Sequence, residues 1–581
     1  MKLPSLKNSL LKNKDIFFVF IIVFVLFYIV QFLSENLAGN DTYLYIKLAD
    51  IIKNEGLIRE FPWLSAAVIN ENFMGLHFLY YILLIPFTFL GSLVIGAKIA
   101  SIFFLSLMIA VFYAVLKNLK LKFRYVWILL LLASSTYFLT RMNFARPLSF
   151  SVIFTLLIFF SLVKKNNLLL FAASFLFVWA HGSFPLSILL AFIFFFVNYI
   201  FKKELYYKSV LFSLGGVILA NLINPFFPNN LNYFSIYYLN PTPYFLTSQI
   251  AEWQPIGLDD LLLSDATILI IPFIILSLIY VFSLVIGFIN KEKKLSVMPR
   301  RSLSSEPACP VGRDSDGKSG KAIFLAGVPR RRLQRGEDKE ILIIISFLFL
   351  TSITFFIGTL LQGRFIDYWV PFSVMFIAFY FEFIYFDFAK SDKIKRALEK
   401  IKFPKFFPKE DAKMALICFV FIILAISIYN KASFVSQGYS HDSSKNIEET
   451  ALWLKENTPK KSVVFNVNWG DFSKLFFYDS DNYYILGLDP KFLYLSSPEK
   501  YWLYDNIGKG IVCDKEICDE GNNNGKRSIK DIIKTDFHAD FVYVPTDYED
   551  FDYTNLINIM DNDPSFEKVF KNEGGDVWRI K

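Results

Sequence analysis

IFFVFIIVFVLFYIVQFLSENLAGND, residues 16–41, decides how the rest of the chain is read. The first seventeen residues carry no charge and approach the length needed to cross a bilayer as a helix. Lys2, Lys7, Lys12 and Lys14 precede them, as before a secretory signal. No small-residue cleavage site follows, so the segment reads as a start-transfer anchor and not as a removed leader. The chain then turns polar at once and reaches Asp41.

The same apolar character recurs along most of the 581 residues. Hydrophobic residues make up 54% and charged residues 19%, and mean hydropathy is +0.43. A soluble chain carries about 25% charged residues. Spans are predicted at 16–32, 76–116, 125–139, 148–163, 168–180, 186–200, 210–222, 266–289, 341–361, 369–388 and 414–429. That makes a polytopic α-helical membrane protein with about 11–13 transmembrane helices. The run 76–116 is long enough for two crossings.

Lys and Arg give the orientation. Basic stretches at the N-terminus, 117–124, 164–167, 202–208, 290–340 and 389–413 fall inside. The charge-poor loops 33–75, 140–147, 181–185, 223–265 and 362–368, with 430–581, fall outside. This predicts a multi-pass plasma-membrane protein with an extracytoplasmic tail. Lys117–Arg124 fits only if part of 76–116 lies in the membrane plane; otherwise it breaks the rule. The net charge of +8 sits in these loops, so it reports topology and not a nucleic-acid partner.

Domain organisation follows. Residues 1–430 form the membrane domain. Residues 431–581 form a soluble α/β domain, with a helix at 447–459 and strands at 462–469, 482–488 and 539–545. Cys513 and Cys518 share one short polar segment and can pair if exported. Residues 296–338 hold Arg300, Arg301, Arg313, Arg330, Arg331, Arg332 and Arg335. The stretch reads as a disordered cytoplasmic insertion. A basic loop on lipid headgroups and a foreign insertion both stay open.

Candidate chemistry lies at the outer ends of the helices, where polar groups of so apolar a chain face a cavity or a partner. Asp41 is either the cap of an amphipathic interfacial helix beginning near it or a general base or metal ligand. Arg141 and Arg146 run against the positive-inside trend and suit phosphate oxygens, or snorkel. His181, in WAHGSFP, is a packing residue or a contact. Glu252 with Trp253 is an acid–aromatic pair of the kind that binds sugars. Arg364 is a phosphate contact or the local ion-pair partner of Asp367. No Gly-rich phosphate loop, HExxH or CxxC occurs, so nucleotide-driven transport has no support.

The layout resembles the GT-C membrane glycosyltransferases, and most closely the oligosaccharyltransferase catalytic subunit. GNDTYLYIKLADIIKNEG (39–56) is similar to that family's first acidic motif. GRFIDYWVPF (363–372) is similar to its late external Arg segment. ALWLKENTPKKSVVFNVNWGDF (451–472) is similar to the start of its soluble domain. The acceptor motif departs from the family: Asn468-Trp469-Gly470-Asp471 has neither the doubled Trp nor the family's order. Arg141 and Arg146 stand where a second acidic pair is expected.

The resemblance implies an inverting glycosyltransferase taking sugar from a polyprenyl-phosphate-linked donor to an extracytoplasmic acceptor. Asp41 would be catalytic, or the ligand of a divalent metal such as Mg or Mn. Arg364, Arg141 and Arg146 would contact donor phosphate. Glu252, Trp253, His181, Trp469 and Asp471 would contact sugar or acceptor. The rival class is a transporter, flippase or scaffold of polysaccharide assembly, which would show internal repeats and central charges. Neither is seen.

Overall fold

A computed structural model describes residues 13–37, 39–240, 242–296, 336–389, 409–440, 444–518, 527–546 and 553–581. The Arg-rich stretch 296–338 falls almost wholly outside them.

Among the described residues, five helices are long and apolar enough to cross a membrane. They are α1 (Lys14–Phe32), α4 (Leu93–Asn118) and the spans Thr267–Ile286, Lys339–Leu361 and Gly363–Tyr385. The first of those three belongs to α11 (Thr267–Ser296), the second to α12 (Gly336–Leu361), and the third contains most of α13 (Ile366–Ala389). Shorter apolar helices complete the bundle: α7 (Leu148–Val163), α8 (Asn167–Ala180), α9 (Leu186–Lys202), α10 (Lys208–Leu222) and the stretch Phe421–Ser436 of α14 (Lys409–Ser440). The expected span 125–139 is broken into α5 (Arg124–Ala133) and α6 (Thr136–Met142), bent by 93°. The chain is a polytopic helical membrane protein.

The long run 76–116 resolves the topological conflict. It contains α3 (Phe78–Leu84), continued as a 3-10 turn to Phe89, and then α4. Only α4, at 26 residues, reaches across about 30 Å of hydrocarbon. Its far end returns to the start of α1, where Lys117 Nζ lies 2.6 Å from Asp15. One crossing therefore suffices, and Lys117–Arg124 obeys the charge rule.

The two ends of the bundle sort as the charges require. Lys117 meets Asp15, Lys202 meets Glu340, and the amides of Lys122 and Phe123 donate to Glu382. All the loops expected outside gather at the opposite end with the C-terminal domain.

That domain holds α15 (Ser444–Asn457), α16 (Phe472–Tyr478) and a five-stranded sheet. The strands are β1 (Val463–Asn466), β2 (Tyr483–Tyr484), β3 (Phe541–Val544), β4 (Phe566–Asn572) and β5 (Gly575–Ile580), in the order β2-β1-β3-β5-β4. β1 runs parallel to β2 and β3; β5 runs antiparallel to β3 and β4. Cys513 and Cys518 form a disulfide.

The loop 33–75 fastens this domain to the bundle. Leu64 bridges to Tyr484 at the sheet edge, with Ser65 N to Tyr484 O at 2.8 Å and Tyr484 N to Trp63 O at 2.8 Å. Phe61 and Trp63 pack on Phe476. One apolar core consequently runs from the membrane helices into the sheet.

The helix expected to lie along the interface, α2 (Asn40–Glu55), is packed inside the protein. Tyr43, Leu44, Tyr45, Ile46, Leu48, Ala49, Ile51 and Ile52 are all buried. The C-terminal domain covers the face that would otherwise meet water: Tyr43 packs edge-on against Phe477 of α16.

Candidate active site

Gly39 sets the direction of α2. Its φ is +74°, and a Cβ there would lie 3.1 Å from the Phe144 ring. Gly39 is the N-cap and makes no side-chain cap bond, so Asp41 is not the cap. Asp41 lies in the first turn, where the helix dipole favours an anion.

Asn143 and Ala145 pin the loop 140–147. Gln31 Nε2 donates to Asn143 O at 2.7 Å and Oδ1 at 2.9 Å, and to Ser101 Oγ at 2.8 Å. Ala145 N donates to Thr42 Oγ1 at 3.2 Å. These bonds fix the backbone on either side of Phe144, so Arg141 and Arg146 project from a held loop.

Five charged side chains from four segments then meet. Arg146 Nη2 lies 2.8 Å from Asp41 Oδ2, and Nη1 donates to Glu252 Oε1. Arg141 Nη1 lies 3.1 Å from the same Glu252 oxygen. Arg141 Nε and Nη2 donate to Asp367 Oδ1 and Oδ2, each at 2.9 Å. This is a bidentate fork, the strongest geometry for such a pair. Asp367 therefore pairs with Arg141 and not with its sequence neighbour Arg364.

Arg364 turns the other way. Its guanidinium stands 4.8 Å from the Trp253 ring centroid, a cation–π distance. The 250–256 segment is tied to the Arg364 turn by Gly363 N to Gln254 O at 2.8 Å. Arg364 is exposed and has no carboxylate partner among the described residues.

Burial pushes the Asp41 carboxyl above the ordinary Asp range, against the pull of Arg146, with Glu252 adding to the rise. Its side chain is still 32% exposed. Burial would raise Glu252 too, but Arg146 and then Arg141 outweigh it and hold that carboxylate well below its usual range. Two neighbouring acids thus move in opposite directions: Glu252 down, Asp41 up.

His181 stacks on His77 with centroids 5.2 Å apart. Its Nδ1 accepts from Ser183 N at 3.1 Å. Burial, and then His77 and the Arg residues, keep it neutral. Asn40 Nδ2 donates to Gly470 O at 3.1 Å, so the Trp469 turn sits beside the residue preceding Asp41. Trp469 is half-buried against the domain core. Asp471 is fully buried and accepts from Tyr543 Oη at 3.3 Å. Further straps join the loop 223–265 to the domain: Tyr237 Oη to Asp489 at 2.9 Å, and Lys491 Nζ to Asn240 O at 2.7 Å. His77, Tyr237 and Asp489 were not singled out from sequence, and no local pattern marks them.

Asp41 Oδ2 and Glu252 Oε1 are engaged by Arg, and no group of three His, Cys, Asp or Glu side chains gathers among the described residues.

No family model and no curated protein matches the chain. Solved structures do. The Archaeoglobus fulgidus oligosaccharyltransferase tethered with an acceptor peptide containing the NVT sequon gives a TM-score of 0.56 at 13% identity, covering 99% of this chain and 75% of that one. AglB from the same organism, in complex with an inhibitory peptide and a dolichol-phosphate, gives 0.53 at 13% identity, covering 98% and 74%. Apo ArnT from Cupriavidus metallidurans gives 0.50 at 11% identity, covering 98% of each chain. The likeness spans the bundle and the C-terminal domain, and it lies in shape far more than in sequence. The chain has a GT-C-like fold, shared with these solved structures.

Proposed function

We propose that the chain transfers a sugar from a polyprenyl-phosphate-linked donor to an acceptor hydroxyl at the outer membrane face, with inversion. The observation that carries this reading is the convergence of Asp41, Arg146, Glu252, Arg141 and Asp367, with the free Arg364 alongside on Trp253.

The roles follow from how each group is engaged. Arg146 holds Asp41 through Oδ2, which leaves Oδ1 to take the acceptor proton. A carboxyl raised by burial is a better base than a surface one. The acceptor oxygen bonds to the anomeric carbon as the carbon–phosphate oxygen bond breaks, and the lipid phosphate leaves with that electron pair. Arg364 stabilises the departing charge. Arg141 and Arg146 are saturated by carboxylates, so they act as the frame and Arg364 as the phosphate contact. Glu252 locks both Arg residues, and Trp253, which carries Arg364 over its ring, helps bind the sugar. The C-terminal domain, through the Trp469 turn, limits which acceptor reaches Asp41.

The positive-inside pattern and the Cys513–Cys518 disulfide both support an extracytoplasmic domain. AglB with dolichol-phosphate supports a lipid-phosphate donor by analogy of fold.

The test is radiolabelled sugar transfer from a polyprenyl-phosphate donor in membranes, with Asp41→Asn as control. Asn keeps size and loses the base, so transfer should fall by at least about a thousandfold with normal expression. Turnover near the wild-type rate in Asp41→Asn would remove Asp41 from the mechanism.

A further inference from the structure

Asp265 and Lys431 lie outside the charge network and are both nearly excluded from solvent, at 6% and 8% exposure. An ionisable pair at such depth in an apolar chain needs a reason. The reason is the 93° break between α5 and α6.

α6 has seven residues and carries Arg141 in its last turn. A helix of two turns does not persist unaided, and its first amides lack helical partners. Here they are all taken. Asp265 Oδ1 accepts from Thr136 N at 2.6 Å and Tyr137 N at 3.3 Å. Ser135 Oγ accepts from Phe138 N at 3.1 Å and donates its own proton to Asp265 Oδ2. Lys431 closes the arrangement from the last membrane helix. Its Nζ donates to Asp265 O at 2.5 Å and to Thr136 Oγ1 at 3.3 Å. One turn earlier, Ser427 Oγ donates to Ala133 O at 3.1 Å, a carbonyl freed by the break.

We infer that Asp265 and Lys431 are positioning residues that aim Arg141. From Thr136 to Arg141 the helix rises about 7.5 Å. A tilt of about 15° at the capped end therefore moves Arg141 by about 2 Å. That displacement opens the two 2.9 Å bonds to Asp367 and loosens the grip on Glu252. Two buried residues, remote in sequence from each other and from Arg141, thus set the geometry of the charge network. The catalytic consequence rests on the sugar-transfer reading above; the structural one does not.

The experiment has two arms on the full-length protein in lipid nanodiscs. Amide exchange is followed in 136–142 and, as reference, in 93–118. Asp265→Ala and Lys431→Met are each expected to speed exchange in 136–142 by tenfold or more and leave the reference unchanged. Asp265→Asn, which keeps an acceptor for the amides, should stay within about threefold of wild type. The second arm measures sugar transfer. Asp265→Ala should lower kcat/KM at least tenfold with Arg141 present. It should add less than twofold when Arg141→Lys is already in place, because a Lys has no fork left to aim. Unchanged exchange in both variants overturns the inference, as does full multiplication of the Asp265→Ala and Arg141→Lys effects. A wild-type protein that transfers no sugar sinks the functional reading alone, and the exchange arm still decides the role of Asp265.

Discussion

The Arg141–Asp367 fork makes a prediction that separates framework from chemistry. Asp367 is 2% exposed, and among the described residues its basic partner is Arg141, through two bonds of 2.9 Å. Arg141→Met keeps the length and removes the charge. It leaves a buried carboxylate uncompensated, at a cost of about 3–5 kcal/mol. Asp367→Leu in the same chain removes that orphan, and an apolar pair of similar volume is often neutral or stabilising. Glu252 keeps its second partner, Arg146, in both variants. The assay is thermal unfolding of purified protein in one detergent. At roughly 1–2 °C per kcal/mol for a chain of this size, the single variant should lose about 3–10 °C. The double variant should recover at least half of that loss while staying defective in transfer, because the Glu252 clamp is halved. A double variant less stable than Arg141→Met, or a single variant as stable as wild type, would refute the idea that this pair is buried and self-compensating.

Three further outcomes are expected. Transfer should fall as pH drops through a limb lying above the ordinary Asp value of 3.8, since burial raises Asp41 and only its deprotonated form accepts a proton; Arg146→Met should move that limb higher still, because Arg146 opposes the rise, and a pH profile of kcat/KM reads both. Arg364→Met should raise KM for the lipid-phosphate donor by about ten- to a hundredfold, as loss of one charge-assisted contact of about 1.5–3 kcal/mol implies, with thermal stability unchanged because Arg364 is exposed. Phe61→Ala, at a ring with no solvent exposure in the seam between loop and domain, should cost about 3–5 kcal/mol and speed proteolytic release of the C-terminal domain; equal protease resistance would mean the seam does not hold the domain.

Much of the fold was legible in the sequence. Span positions follow from the cost of burying charge in hydrocarbon, a local property of each segment. The sorting of basic loops from acid- and aromatic-bearing loops is equally local, and it matches the two ends of the bundle. Strands β1, β2 and β3 were foreseen because continuous apolar runs mark a buried parallel core. The hairpin of β4 and β5 was not, since β4 buries only Phe566 and exposes Glu567, Lys568 and Lys571, so it reads as a polar tail. The break at Ser134 was missed as well. The residue that caps the helix after it, Asp265, lies 129 residues along the chain from Thr136.

The candidate site divides in the same way. Composition and charge marked Asp41, Arg141, Arg146, Glu252 and Arg364, because an ionisable residue in an apolar chain stands out without any neighbour. What each one touches could not be read. Asp367 and Arg364 are three residues apart and suggested a local pair. The tertiary structure gave Asp367 to Arg141 and left Arg364 on Trp253. Sequence by itself determined which side chains must leave the hydrocarbon and at which end. Only the packing of α2, α6, α13 and the 250–256 turn decided who neutralises whom, because ion pairing depends on distances of 3–4 Å between segments that the chain holds more than a hundred residues apart.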